Sequence, residues 1–380
     1  MSFTGYPDQG ATYFFEMARS LARLGQHVTV IAVQRPSEQA NDNQDAVHIM
    51  RIPATLTTNW ASPLRWANKF WFLVRAAARI RKQQFDIIHA YTTVGACILP
   101  LLGRRDFHSK WVHEIQSGAV SSRSSLARKV QDRATVLQGL AFDANLAVTQ
   151  TLAERLFGKT ASRVDVVPAG VNLSHFRPDL TCGFRGEMGI PPRAIVFVHA
   201  GVVGAERRTD VPLRAFARAL SKDDRLWLLM PGKGSQLGVL RQLAHDLGVS
   251  SRVWLPGYVP YQSVPRIFAA ADAGLSYLPP FECYEGQPPM KVMEYLGAGL
   301  PVIASDVSGH RTLIRHEENG LLAPPDDVSY ANALLRFSAE PVLRDKLASQ
   351  ARSSVAHLSY DRIAAERVLP IYRRLLGRYS

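Results

Sequence analysis

Residues 194–219 read AIVFVHAGVVGAERRTDVPLRAFARA. The run 194–199 is short and apolar, as a buried strand is, and it ends at Gly201. A loop follows that carries Arg207 and Arg208. A helical pattern comes next, with Thr209 or Asp210 at its cap. Strand, loop and helix in that order build a parallel sheet with helices on both faces. The alternation continues through 226–230 (LWLLM), 253–255 (VWL), 273–277 (AGLSY) and 301–304 (PVIA). A separate series precedes it at 27–33 (HVTVIAV), 85–89 (FDIIH), 111–115 (WVHEI), 145–148 (NLAV) and 164–167 (VDVV). Between the two series lies 168–192, rich in Pro, Gly and polar residues. The expected fold is α/β, with two doubly wound, Rossmann-like parallel-sheet domains hinged near 170–190. The expected bounds are 1–170 and 171–358, with 359–380 a C-terminal helix packing back on the first domain. No fixed-period repeat is present.

A chain of 380 residues is too long for one ordinary core. Its 47% apolar and 20% charged content excludes disordered and fibrous classes. A net charge of +13 predicts a surface that attracts anions without saying which. Cys97, Cys182 and Cys283 are odd in number and far apart, so neither a disulfide framework nor a metal cluster is expected, and a reducing compartment suits them. No apolar run reaches the 18 residues or so that a bilayer span needs. No charged leader with an apolar stretch opens the sequence, so a cytoplasmic location is expected.

The basic excess has a local centre. Residues 51–83 hold Arg51, Arg65, Lys69, Arg75, Arg79, Arg81 and Lys82 and no carboxylate, beside Trp60, Trp66, Phe70, Trp71 and Phe72. Read as a helix from Pro63, Trp66, Phe70, Leu73, Ala77 and Ile80 share one face. A basic aromatic helix suits an anionic membrane interface. A crossover helix packing that face on the sheet is the plainer reading, and both hold if the charged flank faces lipid.

A helical pattern begins near Ala11, after Gly5-Tyr6-Pro7-Asp8-Gln9-Gly10, which reads as the glycine turn of a doubly wound domain. The strand expected ahead of that turn is nearly absent. Either the sequence starts downstream of its natural start or the first domain lacks its opening strand, which would leave costly strand edges.

The most informative block is 288–304, PPMKVMEYLGAGLPVIA. A helix starting near Pro289 would aim the N–H groups of Met290 and Lys291 at an anion, and Lys291 adds a full charge. Glu294, one turn on, can accept two hydrogen bonds from a vicinal diol such as a ribose. Gly297 and Gly299 end the helix. At the mouth of a parallel sheet, Arg207 and Arg208 suit bidentate phosphate binding.

Taken in order, these segments resemble the family 4 retaining glycosyltransferases of the two-domain GT-B fold. The resemblance rests on LARLGQHVTVIA, FDIIHA, WVHEIQSG, VVPAGVNLSHFRP, GVVGAERRTDVPLRAFA, LWLLMPGKGS, VWLPGYVP, PPMKVMEYLGAGLPVIAS and ENGLLAPPDD. It implies a nucleotide-diphosphate sugar bound mainly by the second domain, across a cleft that the two domains face. Arg207 would contact the diphosphate, with Arg208 beside it. Glu294 would hold the donor ribose, while Met290 and Lys291 meet the β-phosphate. Gly257, Tyr258 and Val259 would lie near the base, and Gly10 would close on the phosphates. His113, and more weakly His89, fall near a family histidine that faces the donor sugar. No metal and no cofactor are implied. The acceptor, a glycan or a lipid-linked one, would meet the first domain, where Arg65, Trp66, Lys69, Trp71 and Arg75 could face it or an anionic membrane.

Two departures from the family pattern stand out. The family often places an Arg directly after the glycine that ends the first strand of the second domain, and Val202 stands there. Lys291 or Arg208 could compensate. The family also often carries a second glutamate eight positions before the ribose carboxylate, and Gly286 stands there, with Glu285 adjacent and Glu282 further out. A one-residue insertion at Pro288-Pro289 could return Glu285 to the sugar. Three other readings stay open at this level. They are a nucleotide-sugar epimerase of the same fold, a non-enzymatic anionic-polymer binder, and an inactive paralogue. Nucleic acid is not an expected partner, because no recognition motif accompanies the charge.

Overall fold

A computed structural model describes residues 12–34, 41–53, 64–91, 95–104, 108–119, 125–180 and 183–378. The chain divides into two compact units. The first comprises Met1–Ala169 with Tyr360–Ser380, and the second Gly170–Ser359.

The first unit runs α1 (Thr12–Arg23), β1 (Val28–Gln34), β2 (Asn41–Gln44), β3 (Val47–Pro53), α2 (Leu64–Arg81), β4 (Ile87–Tyr91), α3 (Ile98–Gly103), β5 (Lys110–Ile115), α4 (Ser125–Gly139), β6 (Ala144–Ala147), α5 (Gln150–Phe157) and β7 (Asp165–Val166). The strands form two sheets, β1-β3-β2 and β4-β5-β6-β7. All pairs are parallel except β2 with β3. That hairpin was not legible in the sequence, because NDNQ is wholly polar and carries no period-two signal. Asp45 and Ala46 turn it with φ of 49° and 64°, the geometry of a primed hairpin turn.

Each sheet presents one strand edge, β1 and β4, to a groove of about 790 Å³ lined by Phe14, Val28, Val30, Ile87, His89 and Tyr372 among others. Doubly wound domains seat their opening strand between such edges. Residues 1–11, with the Gly5–Gly10 turn and the Gly10 expectation, lie outside the described residues.

Helix α2 spans the expected stretch with its buried face turned. Phe72, Leu73, Ala76, Ala77 and Ile80 join the core with Leu99, Ile88 and Trp111, whereas Phe70 is 50% exposed. Adding Phe72 and Ala76 widens the stripe beyond the face centred on Trp66 and Phe70, and the wider stripe is the one that meets the sheet. The side chains of Arg65 and Trp66 lie outside the described residues.

The second unit runs α6 (Phe184–Glu187), β8 (Ile195–Val198), α7 (Asp210–Leu220), β9 (Leu226–Leu229), α8 (Leu237–Asp246), β10 (Val253–Trp254), α9 (Val264–Phe268), β11 (Ala273–Ser276), α10 (Met290–Gly297), β12 (Val302–Ser305), α11 (Ser308–Arg311), β13 (Gly320–Ala323), α12 (Asp327–Ala339) and α13 (Pro341–Val355). Six parallel strands order as β10-β9-β8-β11-β12-β13. Strands β8, β11 and β12 are buried along their whole length, as strands covered by helices on both faces must be. The segment after Gly170 is latched to this unit. Arg352 donates to the carbonyls of Phe176 at 2.6 Å and Leu173 at 2.9 Å. A side chain on Gly297, at the end of α10, would strike Val171 at 2.9 Å. The linker therefore abuts the helix that carries Lys291.

The C-terminal segment comprises α14 (Tyr360–Ile363), a wider turn over Ala364–Val368, and α15 (Leu369–Leu375). Pro370 lacks the N–H that regular helix would need there, which accounts for the wide turn. This segment belongs to the first unit. Tyr372 shares a 2.6 Å hydrogen bond with His89, and Arg374 pairs with Asp165.

Candidate active site

In the second unit the chain moves outward from β8 through β9 to β10, and in the other direction from β11 through β12 to β13. The order reverses between β8 and β11. Helices leaving two adjacent strands on opposite faces open a crevice at the strands' carboxyl ends, where doubly wound sheets bind ligands. The loop after β8 delivers Gly201 and Arg207 there, and the loop after β11 delivers the start of α10.

Pro289 precedes α10 in an extended conformation, with φ −74° and ψ 122°, so Met290 and Lys291 open the helix. Their N–H groups have no intrahelical acceptor and carry the positive end of the dipole. The Lys291 ammonium packs over Gly201, where an added Cβ would lie 3.3 Å from Nζ. Gly201 has φ +129°, a conformation that side chains rarely adopt. The next loop is as close, since a Cβ on Gly232 would sit 1.8 Å from the Gly201 carbonyl oxygen. Tyr295, one turn beyond Lys291, accepts the Ala200 N–H at 2.7 Å and ties α10 to the end of β8.

The electrostatics follow from burial. Lys291 is lowered to about 7, chiefly by burial and then by the neighbouring Arg207 charge, with Glu294 opposing. Glu294 is raised to about 7 by burial, with Lys291 opposing. Two neutral histidines lie beneath. Burial, then the Lys291 charge, pushes His199 well below its usual value. His310 is lowered to about 4, first by burial, and bridges Ser276 at 2.8 Å and the Ser305 carbonyl at 2.7 Å. The crevice thus gathers a half-buried cation, a guanidinium, a helix N-terminus and one half-buried carboxylate. That set can bind a diphosphate and a diol.

Arg207 lies with its guanidinium carbon 4.9 Å from the Tyr284 ring centre, and the Tyr284 hydroxyl donates to the Glu206 carbonyl at 3.1 Å. Tyr284 was not singled out in the sequence. An aromatic one residue from an acid gives no signal until the fold brings it under Arg207. Arg208 has left-handed backbone, φ 48°, and its guanidinium grips Asp210 at 3.0 and 3.2 Å. Glu285 is exposed at the end of the Glu282–Tyr284 turn. Gly257, Tyr258 and Val259 follow β10. Gly257 accepts the Gly232 N–H at 2.8 Å, and Lys233 lies 5.0 Å from the centre of the Tyr258 ring.

His113 belongs to the first unit and is wholly buried on β5. It is 3.0 Å from Asn145 Oδ1, stacks on Phe142, and is lowered to about 4 mainly by burial. Its described neighbours include Phe142 and Asn145. His89 Nε2 lies 3.0 Å from Glu114, a fully buried carboxylate beside Tyr13 and Tyr372 that the sequence reading passed over. Among the described residues no three His, Cys, Asp or Glu side chains gather at metal-binding distance, and no helix is long and apolar enough to cross a membrane.

Two parallel-sheet α/β units, the second with an anion-seeking crevice at its switch point, are the architecture of a GT-B glycosyltransferase. Residues 184–354 match the glycosyl transferases group 1 family and residues 10–175 match glycosyltransferase family 4, and the chain belongs to this family. It is similar to the D-inositol 3-phosphate glycosyltransferase of Rhodococcus erythropolis, with 27% identity over 97% of this chain and 87% of the relative. Among solved structures it resembles sucrose-phosphate synthase from Thermosynechococcus elongatus, with a TM-score of 0.77 and 22% identity over 98% and 96% of the two chains. It also resembles Anabaena HepE in complex with UDP and glucose, with a TM-score of 0.75 and 16% identity over 97% of each chain.

Proposed function

We propose that the protein is a retaining, metal-independent hexosyltransferase. It moves a sugar from a nucleoside-diphosphate sugar to a glycan or lipid-linked acceptor, in polysaccharide or glycoconjugate synthesis on the cytoplasmic side of a membrane. One observation carries the reading. Lys291 and Glu294 stand one turn apart at the start of α10, with Arg207 beside Lys291, at the mouth of a parallel sheet. The HepE complex with UDP and glucose makes a uridine nucleotide the first donor to test.

In this mechanism the diphosphate lies against the α10 N-terminus, Lys291 and Arg207, and Glu294 accepts from the ribose hydroxyls. The bond between the anomeric carbon and the β-phosphate oxygen breaks, and its electron pair goes to the phosphate. Charge grows on oxygens already surrounded by fixed donors, so little reorganisation is needed. The sugar passes through an oxocarbenium-like state. The acceptor oxygen attacks the face that the phosphate leaves, and its proton goes to a phosphate oxygen.

Arg207→Ala should lower transfer at least about a hundredfold, the usual effect of losing a transition-state donor, and Glu294→Ala, which removes the acceptor for the ribose hydroxyls, should also lower it, while circular dichroism stays unchanged. Near-normal transfer in both would remove the site assignment. Incubating the donor without acceptor separates this reading from an epimerase, because sugar inverted at a ring carbon would appear by NMR only for the latter. The membrane part of the reading rests on Lys69, Trp71 and Arg75 of α2. Trp71 and Arg75 are exposed.

A further inference from the structure

Except for Leu24, the exposed large apolar side chains described in the first unit fall on α2, on α3, on α4 or directly after α4. Among them Trp71 is 50% exposed, Leu101 70%, Leu126 71%, Val130 60%, Leu137 65% and Leu140 81%. Scattered single residues of this kind need no explanation, but a cluster does. On α4 the spacing is regular. Leu126, Val130, Ala134 and Leu137 follow steps of four, four and three, which line one face of a helix, and that face is exposed. The stripe is about 16 Å long at the usual helical rise.

The three helices cover one side of the sheet. Strand β4 leads through α3 to β5, and β5 leads through α4 to β6, all parallel, so right-handed crossovers set α3 and α4 on the same face. Helix α2 shares the core of α3, β4 and β5. The Gln138 side chain of α4 accepts the Gly95 N–H just before α3. The outer surface of this layer is therefore continuous. Among the described residues of these helices its outward charge has one sign. On α2 and just after it, Arg75, Arg79 and Lys82 continue the exposed side that Trp71 begins, and Lys129 and Arg133 flank the α4 stripe. Asp132, the carboxylate of α4, is turned inward, where it accepts the Ala119 N–H at 2.8 Å and faces Arg155 at 3.9 Å.

We propose that the outer face of α2, α3 and α4 is the docking surface for an anionic lipid bilayer, with the Leu126–Val130–Leu137 stripe entering the interface and the cations holding headgroups. This extends the lipid-linked acceptor reading above and rests on it. The charge chooses the occupant. A second copy of this chain would bring cations against cations, whereas phosphatidylglycerol headgroups complement them and the apolar stripe enters the acyl boundary.

Flotation with vesicles of phosphatidylcholine, with and without 30% phosphatidylglycerol, tests the proposal on the full chain. Wild type should float with the anionic vesicles at low salt, and much less with neutral ones or at 0.5 M salt. The triple variant Leu126→Ser, Val130→Ser, Leu137→Ser and the double variant Lys129→Glu, Arg133→Glu should each lower partitioning at least about tenfold. UDP-induced thermal stabilisation of both variants should match wild type. That reading reports on the fold and on the donor site independently of lipid, so a failed flotation with UDP stabilisation intact would sink this surface and leave the donor reading standing. Equal flotation of the triple variant and wild type would overturn the proposal. So would a concentration-dependent dimer, by light scattering, that the triple variant abolishes while neither protein binds vesicles.

Discussion

Lys291 and Glu294 share a cost that the proposed donor would remove. Both sit near pKa 7, and burial is the first cause for each. A diphosphate needs Lys291 charged, which fails as pH rises through about 7. A ribose needs Glu294 charged, which fails as pH falls through about 7. UDP affinity, measured by titration calorimetry from pH 5.5 to 8.5, should therefore peak near neutrality. Lys291→Met should remove the alkaline arm and Glu294→Gln the acid arm, and a flat profile in wild type would contradict both. Stability carries the opposite signature. The folded pKa of Lys291 is depressed, so its contribution is fully present only above its unfolded value and is lost as pH falls through about 7. At pH 6 the empty protein buries that charge at a cost, and Lys291→Met should stabilise it by about 1–2 kcal/mol, a few degrees in melting temperature. Glu294 is raised, so its contribution is present below its unfolded value and lost as pH climbs through about 7. Glu294→Gln should accordingly stabilise the empty protein at pH 8.

The elements that shape the crevice depend on backbone proximity more than on side chains. The loops after β8 and β9 touch main chain to main chain at Gly201 and Gly232. Gly232→Ala should cost about 2–3 kcal/mol, as overpacking does, and should weaken UDP binding at least about tenfold by displacing the loop that carries Arg207. Gly238→Ala on α8 meets nothing within 4 Å and should be neutral or stabilising by about 0.5–1 kcal/mol. Chemical denaturation of the pair separates contact from composition, and equal effects would refute the argument. The same contrast explains what the sequence showed. Apolar strands such as IVFV, and a helix opened by Pro289 with Lys291 and Glu294 one turn apart, announce themselves by hydrophobicity, caps and spacing. The polar strand Asn41–Gln44, the four-residue β13 and the turned face of α2 do not, because tertiary partners decide them. Nor could spacing show that Arg208 would grip Asp210, or that Tyr284 would seat Arg207.

The two units differ in how completely their sheets are joined, and that should show in how the molecule melts. Among the described residues the second unit has one continuous sheet of six strands packed against a large apolar cluster. Among its described residues the first has two sheets, with the β1 and β4 edges facing a groove. Short sheets with few described ladder bonds open at lower free-energy cost than one wide sheet. We expect amides of β1 and β4 to exchange with deuterium well before those of β8, β9, β11 and β12, and calorimetry to resolve two transitions, the first unit melting earlier. UDP bound at the α10 crevice, as proposed, would stabilise only the unit that holds it. At a hundredfold excess over its dissociation constant that is about 2.7 kcal/mol, or roughly 5–10 °C for a domain of this size. The upper transition should rise by that amount while the lower one stays within a degree. A single transition that UDP shifts as a whole would mean that the units unfold together, and that the divided sheet of the first is not its weak point.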